Sequence, residues 1–120
     1  MKVWFNKIHD SRRSMVEITD SVIHIGRDPG NTIVLQSPLV SKRHAVVTTT
    51  GGKLRLENVG LNGCLVGDRE VLGGESVEFE PGQAVRIWPY SLLFETETQA
   101  VITMGQMASH LRSLMANLEL

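Results

Sequence analysis

Three short islands hold the side chains of this sequence that could act on another molecule: Gly26-Arg27, Ser41-Lys42-Arg43-His44 and Asn62-Gly63. Between them they offer a guanidinium, a hydroxyl, an ammonium and a side-chain amide. All are hydrogen-bond donors; Asp28 beside Arg27 is the lone adjacent carboxylate, and no nucleophile–base pair accompanies them. Donors alone do no chemistry. They do hold anions, a phosphate above all, because hydrogen bonds assisted by charge are short and strong. Arg27 can fork two donors onto two phosphate oxygens, Ser41 can give a hydroxyl proton, and Lys42 adds a point charge. Gly26 allows a close backbone approach or an unusual dihedral just before the arginine. Each island also has a plain structural alternative. Arg27 could be a solvated loop residue or a partner for Asp28, Ser41 could cap a turn beside an ordinary basic surface pair, and Asn62-Gly63 is a hairpin-type turn signal in its own right.

Catalysis finds less support. Ser41 and His44 stand three apart on an extended loop and point to different sides, and no acid is placed to orient the histidine as a triad requires. No cysteine or acidic residue lies at ligand spacing from His44, so a metal site is not expected, and no P-loop pattern is present. His9, His24 and His110 share no spacing with it. The chain reads as neither an enzyme nor a cofactor carrier.

The elements that must position these residues are short and rich in branched side chains. Strands are expected over 3–8, 15–18, 22–25, 32–35, 45–49, 54–57, 77–80, 85–88 and 91–94, several with strict apolar–polar alternation. Turn signals separate them: Asp28-Pro29-Gly30-Asn31, Gly51-Gly52, Asn62-Gly63, Gly73-Gly74 and Pro81-Gly82. Strands at this spacing, with no long helical pattern before residue 100, describe an all-β sandwich or barrel. After Glu95 the character changes to a polar, linker-like run. Apolar residues at Met107, Leu111, Leu114, Met115 and Leu118 then form one stripe of an amphipathic helix. The expected organisation is a β-sandwich domain over 1–96, then a linker and helix over 97–120. That helix would pack back on the sandwich, lead into a further domain of a longer protein, or drive self-association.

Composition narrows the partners. The 120 residues suit one domain with an adequate core. Twelve basic against thirteen acidic residues, a net charge of −1, leave no basic excess for nucleic acid. The single cysteine, Cys64, excludes an intrachain disulfide and suits a reducing compartment. No apolar run approaches the ~20 residues of a membrane span, and the N-terminal stretch lacks a signal-peptide core. A cytoplasmic location away from membranes is the expectation.

Gly26-Arg27, fourteen residues to Ser41, His44 three beyond it and Asn62-Gly63 eighteen beyond that form a specific conjunction inside an all-β pattern. Over roughly residues 22 to 94 it resembles the forkhead-associated (FHA) domain family, readers of phosphothreonine peptides. The resemblance implies a sandwich of two antiparallel or mixed sheets that recruits a threonine-phosphorylated protein marked by a Ser/Thr kinase. It implies Arg27, Ser41 and Lys42 on the phosphate and Asn62 on the peptide backbone. It casts His44 as a buried residue bonded to backbone that fixes the Ser41 loop, with Gly26 and Gly63 in structural roles. Leu39, two before the serine, would lie near the ligand side chain three positions after the phosphothreonine. Three positions depart from the family pattern. Leu61 replaces a common threonine or serine, Cys64 a favoured threonine, and Gly67 a frequent second asparagine. A phospho-independent scaffold of the same fold is the alternative that Leu61 and Gly67 favour.

Overall fold

The computed structural model describes residues 1–95 and contains eleven strands there. They are β1 (Lys2–Lys7), β2 (Ser14–Glu17), β3 (Val22–Gly26), β4 (Ile33–Val34), β5 (Ala45–Thr50), β6 (Lys53–Asn58), β7 (Cys64–Val66), β8 (Arg69–Val71), β9 (Ser76–Phe79), β10 (Ala84–Ile87) and β11 (Tyr90–Glu95). Two sheets result, six-stranded in the order β2-β1-β11-β10-β7-β8 and five-stranded in the order β4-β3-β5-β6-β9. β3 and β4 run parallel and the other described pairs antiparallel, so the second sheet is mixed. The amphipathic stripe at 107–118 lies outside the described residues.

Alternation builds the core. In β6, Leu54, Leu56 and Asn58 are buried while Lys53, Arg55 and Glu57 face solvent. Ile23, Ile25, Val47 and Phe79 extend the buried face of that sheet, and Val3, Val85, Ile87, Leu92 and Phe94 supply the other. Phe79 and Phe94 meet edge to face, with ring centroids 5.5 Å apart. Burying a leucine such as Leu56 contributes about 1.5–3 kcal/mol. A single polar substitution at that position would therefore remove a large share of a small domain's stability.

Two features differ from the sequence reading. β7 and β8 are three residues each, too short for an alternation signal. They pair through the two-residue loop Gly67-Asp68, with Val66 opposite Arg69. Gly67 has φ 59°, at the loop position that favours glycine, so it serves a turn rather than standing in for an asparagine. The Asn62-Gly63 hairpin does not form. β6 and β7 lie in different sheets, so residues 59–63 cross between layers, and neither Asn62 nor Gly63 has positive φ. Gly51-Gly52, with φ 58° and 81°, is a genuine two-residue hairpin turn, joining Thr50 to Lys53.

Candidate functional site

Strand register gathers the three islands. Ile25 pairs with Ala45 and Ala45 with Asn58, so β3, β5 and β6 reach one end of their sheet together. The segments 27–32, 35–44 and 59–63 therefore emerge side by side. The ladder continues past the strands. The His44 amide donates to the Ile25 carbonyl at 2.9 Å, Arg27 to Ser41 at 3.0 Å and Asp28 to Lys42 at 3.2 Å. Arg27 and the Ser41-Lys42 pair thus become neighbours although fourteen residues separate them in sequence.

Space at this junction demands Gly26. A Cβ there would run into the Lys42 carbonyl and stand 2.9 Å from Asn31 Nδ2. Close approach is the requirement, since its φ is not positive. Asn31 Nδ2 donates to the carbonyls of Asp28 at 2.9 Å and Lys42 at 2.7 Å, clipping the first loop onto the second. The sequence marks Asn31 only as a turn residue.

The exposed donors are held at their inner ends. Arg27 Nε donates to the Val40 carbonyl at 3.0 Å. Its two terminal nitrogens make no hydrogen bond or ion pair among the described residues, and neither does the Lys42 ammonium. Ser41 Oγ accepts the Leu61 amide at 3.1 Å, which leaves the hydroxyl proton to be donated elsewhere. Asn62 Nδ2 donates to the Leu39 carbonyl at 2.9 Å and ties the third loop to the second. The ion pairs of the described residues join Arg12 to Asp10 and Arg55 to Glu78, so none neutralises Arg27, Lys42 or Arg43. These three cations give the loop end a positive character that the balanced net charge conceals.

Beneath them lies a buried brace. His44 is 1% exposed, and its Nδ1 accepts the Ser41 amide at 3.1 Å. That bond assigns the proton of the neutral ring to Nε2, which is buried without a bonding partner. Burial pushes the His44 pKa below the usual imidazole value, against a smaller opposing pull from the backbone of Asn62 and Gly63. A ring so enclosed positions Ser41 and does not reach solvent. Gly60 packs directly on it. A Cβ at Gly60 would meet the His44 ring at 2.9 Å and Ser41 Oγ at 3.0 Å. Asn58, fully buried, donates to the carbonyls of Asn62 at 3.1 Å and Val71 at 2.9 Å and accepts the Gly60 amide at 3.0 Å. Sequence reasoning missed both residues. The available signal for Asn58 was an amide in the inward slot after Leu54 and Leu56.

The other residues singled out from the sequence frame this centre. Leu39 is 49% exposed and Leu61 96% exposed, so both present apolar surface at the loop end. Gly63 leaves room for the Val71 carbonyl, 3.3 Å from where a Cβ would stand. Cys64 is buried and its thiol is pushed up to about 12 by desolvation, so it stays protonated and unreactive. Among the described residues no three His, Cys, Asp or Glu side chains are grouped to hold a metal ion.

The class is a two-sheet β-sandwich that gathers donor-bearing loops at one end over a buried histidine. The family model of the FHA domain matches residues 23–87, and the chain belongs to that family. Among solved structures it is similar to EmbR of Mycobacterium tuberculosis in complex with a low-affinity phosphopeptide, at 26% identity and TM-score 0.64. That match covers 78% of this chain and 24% of EmbR, so this chain spans about a quarter of that protein. The FHA domain of CT664 from Chlamydia trachomatis matches at 18% identity and TM-score 0.66, over 80% of this chain and 99% of that one. The N-terminal FHA domain of Rad53 from S. cerevisiae, in complex with a phosphothreonine peptide, matches at 14% identity and TM-score 0.64, over 82% and 96%. No curated sequence matches significantly.

Proposed function

We propose that this chain is a phosphothreonine-dependent protein-binding module, not an enzyme, and that it recruits a partner marked by a Ser/Thr kinase in the cytoplasm. One observation carries the reading: the β3–β5 ladder sets Arg27 beside Ser41-Lys42 with their outward donors unspent. A phosphate dianion seated there takes the two terminal nitrogens of Arg27, the Ser41 hydroxyl proton and the Lys42 charge. Asn62 reaches the peptide backbone beside it, and Leu39 meets a ligand side chain further along. Each charge-assisted hydrogen bond contributes about 1.5–3 kcal/mol, so losing the phosphate removes most of the affinity. EmbR and Rad53, whose structures hold phosphopeptides, support the assignment by likeness.

The second reading is a phospho-independent scaffold that assembles through residues 97–120. The exposed Leu61 favours it, standing beside Asn62 where a hydroxyl would have served a phosphate. A degenerate phosphothreonine peptide library titrated beside its dephosphorylated control separates the two. Binding that vanishes on dephosphorylation establishes the module, and equal binding of both establishes the scaffold.

A further inference from the structure

The two outer faces of the sandwich differ in chemistry. On the five-stranded sheet, register lines up Val22, Thr48, Arg55 and Glu78 across four strands, and Arg55 pairs with Glu78. That row is largely polar, as a solvated sheet face should be. On the six-stranded sheet, Met15, Trp4, Leu93 and Ala84 line up across β2, β1, β11 and β10, and all four are apolar. This row runs between a charged one, Glu17–Lys2–Glu95, and a polar one, Asn6–Ser91–Arg86. Met15 is 44% exposed, and Trp4, Leu93 and Ala84 are partly exposed. A depression of about 180 Å³ opens in the row between Trp4, Leu93 and Ala84, with room for one leucine or methionine side chain. Arg13 stands over the indole at 5.1 Å and forms part of its rim. Contiguous apolar surface rimmed by polar groups marks a place where something docks.

The same chain supplies a matching occupant. β11, which carries Leu93, ends at Glu95, and the sequence then runs on to the apolar stripe Met107, Leu111, Leu114, Met115 and Leu118. Residues 96–106 can span at most ~36 Å, so the stripe reaches any point of the row. Four strands at ~4.8 Å spacing make the row about 14 Å long. As the helix its period predicts, 107–118 would be about 17 Å long. Its two methionines suit an indole, because a thioether packs favourably against an aromatic ring. A tether this short also holds the stripe at millimolar effective concentration, which favours its own sandwich over a second copy.

We propose that the Met15–Trp4–Leu93–Ala84 row is the docking surface for residues 107–118 of the same chain, with one leucine or methionine of the stripe seated between Trp4 and Leu93. The inference does not depend on the phosphothreonine reading. It opposes the scaffold reading, because a stripe seated on its own sandwich is not free to join copies together.

The test uses the full chain carrying Trp88→Phe, which leaves Trp4 as its one tryptophan. Amide hydrogen exchange over 107–118 should be slowed at least about tenfold relative to the free peptide. Leu93→Lys should erase that protection, and the pair Leu111→Asp and Leu114→Asp should shift Trp4 emission to the red. Both signals should persist on dilution while the chain sediments as a monomer. Melting curves check folding, and Met15→Glu at the exposed edge serves as a second variant should Leu93→Lys not fold. Exchange over 107–118 at the free-peptide rate would overturn the seat, and so would protection that the row variants leave untouched. Protection that fades on dilution as a dimer dissociates would overturn it too, since the occupant is then a second copy.

Discussion

The loop end has two layers made from the same kinds of polar group, and they differ in what those groups face. Arg27, Lys42 and Asn62 are exposed, and each keeps bonding capacity that the protein does not use. Asn58 and His44 are buried, and Asn58 spends its amide fully within the fold. Truncating an exposed donor removes an attraction to a ligand and leaves the packing alone. Truncating a buried one strands its former partners away from water, where each unsatisfied group is expensive. Chemistry of the side chain therefore does not separate recognition from architecture. Burial does.

The strongest test removes the main anchor. Arg27→Ala should weaken phosphopeptide binding about a hundredfold, the loss of two charged hydrogen bonds, while stability falls by no more than about 1 kcal/mol for the lost bond to the Val40 carbonyl. Calorimetric titration beside a thermal scan checks both. A weakening of only two- to threefold would dissolve the distinction between layers at its clearest point.

Asn58→Ala should do the reverse. It takes the side-chain donor from the carbonyls of Asn62 and Val71 and leaves the Gly60 amide with the His44 carbonyl alone, at a cost of about 1–3 kcal/mol, and binding suffers only through the loosened loop. His44→Ala should lower stability by about 1–3 kcal/mol for the same reason. Urea unfolding measures each. A His44→Ala protein of native stability that no longer binds would move the histidine into the exposed layer.

Acid probes the buried layer more gently. His44 has a depressed pKa in the folded state, so as pH falls below about 6.5 the unfolded chain takes up a proton that the folded one refuses. Stability should therefore fall as the pH drops through about 6.5 and level off once the folded ring also titrates. The slope should shrink in His44→Ala, and an identical slope in both proteins would remove the histidine from the account. Stability is the better readout, because a phosphopeptide changes its own charge near pH 6.

The smallest effect belongs to the rim. Leu39→Arg should shift the ligand preference from aliphatic residues towards aspartate at one position by a few-fold, leaving phosphate dependence intact. A peptide array reads it, and an unchanged profile would return Leu39 to its own loop.

Much of this was legible in the sequence, and the limits have physical causes. Strands such as β6 declare themselves because side chains alternate between core and solvent. β7 and β8 do not, since three residues cannot establish a period. Asn62-Gly63 carries the signature of a hairpin, yet whether the chain folds back or crosses to the other sheet depends on distant strands. Arg27 and Ser41 stood out because exposed donors need no partner to be noticed. The bracing roles of Asn58, Gly60 and Asn31 did not show in the sequence because they lie in what these residues touch. Val71 and Lys42, the groups that Asn58 and Asn31 hold, are thirteen and eleven residues away along the chain.

The bonds from Arg27 Nε to Val40 and from Asn62 Nδ2 to Leu39 also set a timescale. Both side chains are tethered before any ligand arrives, so the entropy of ordering them is spent during folding. A visiting peptide then meets a rigid cradle and has no need to wait for one to assemble. Capture should proceed at the rate of encounter, raised by the unneutralised cations and slowed by salt. Differences in affinity among partners should accordingly appear as differences in residence time. On the phosphopeptide reading proposed above, a site built this way sorts its partners by how long they stay.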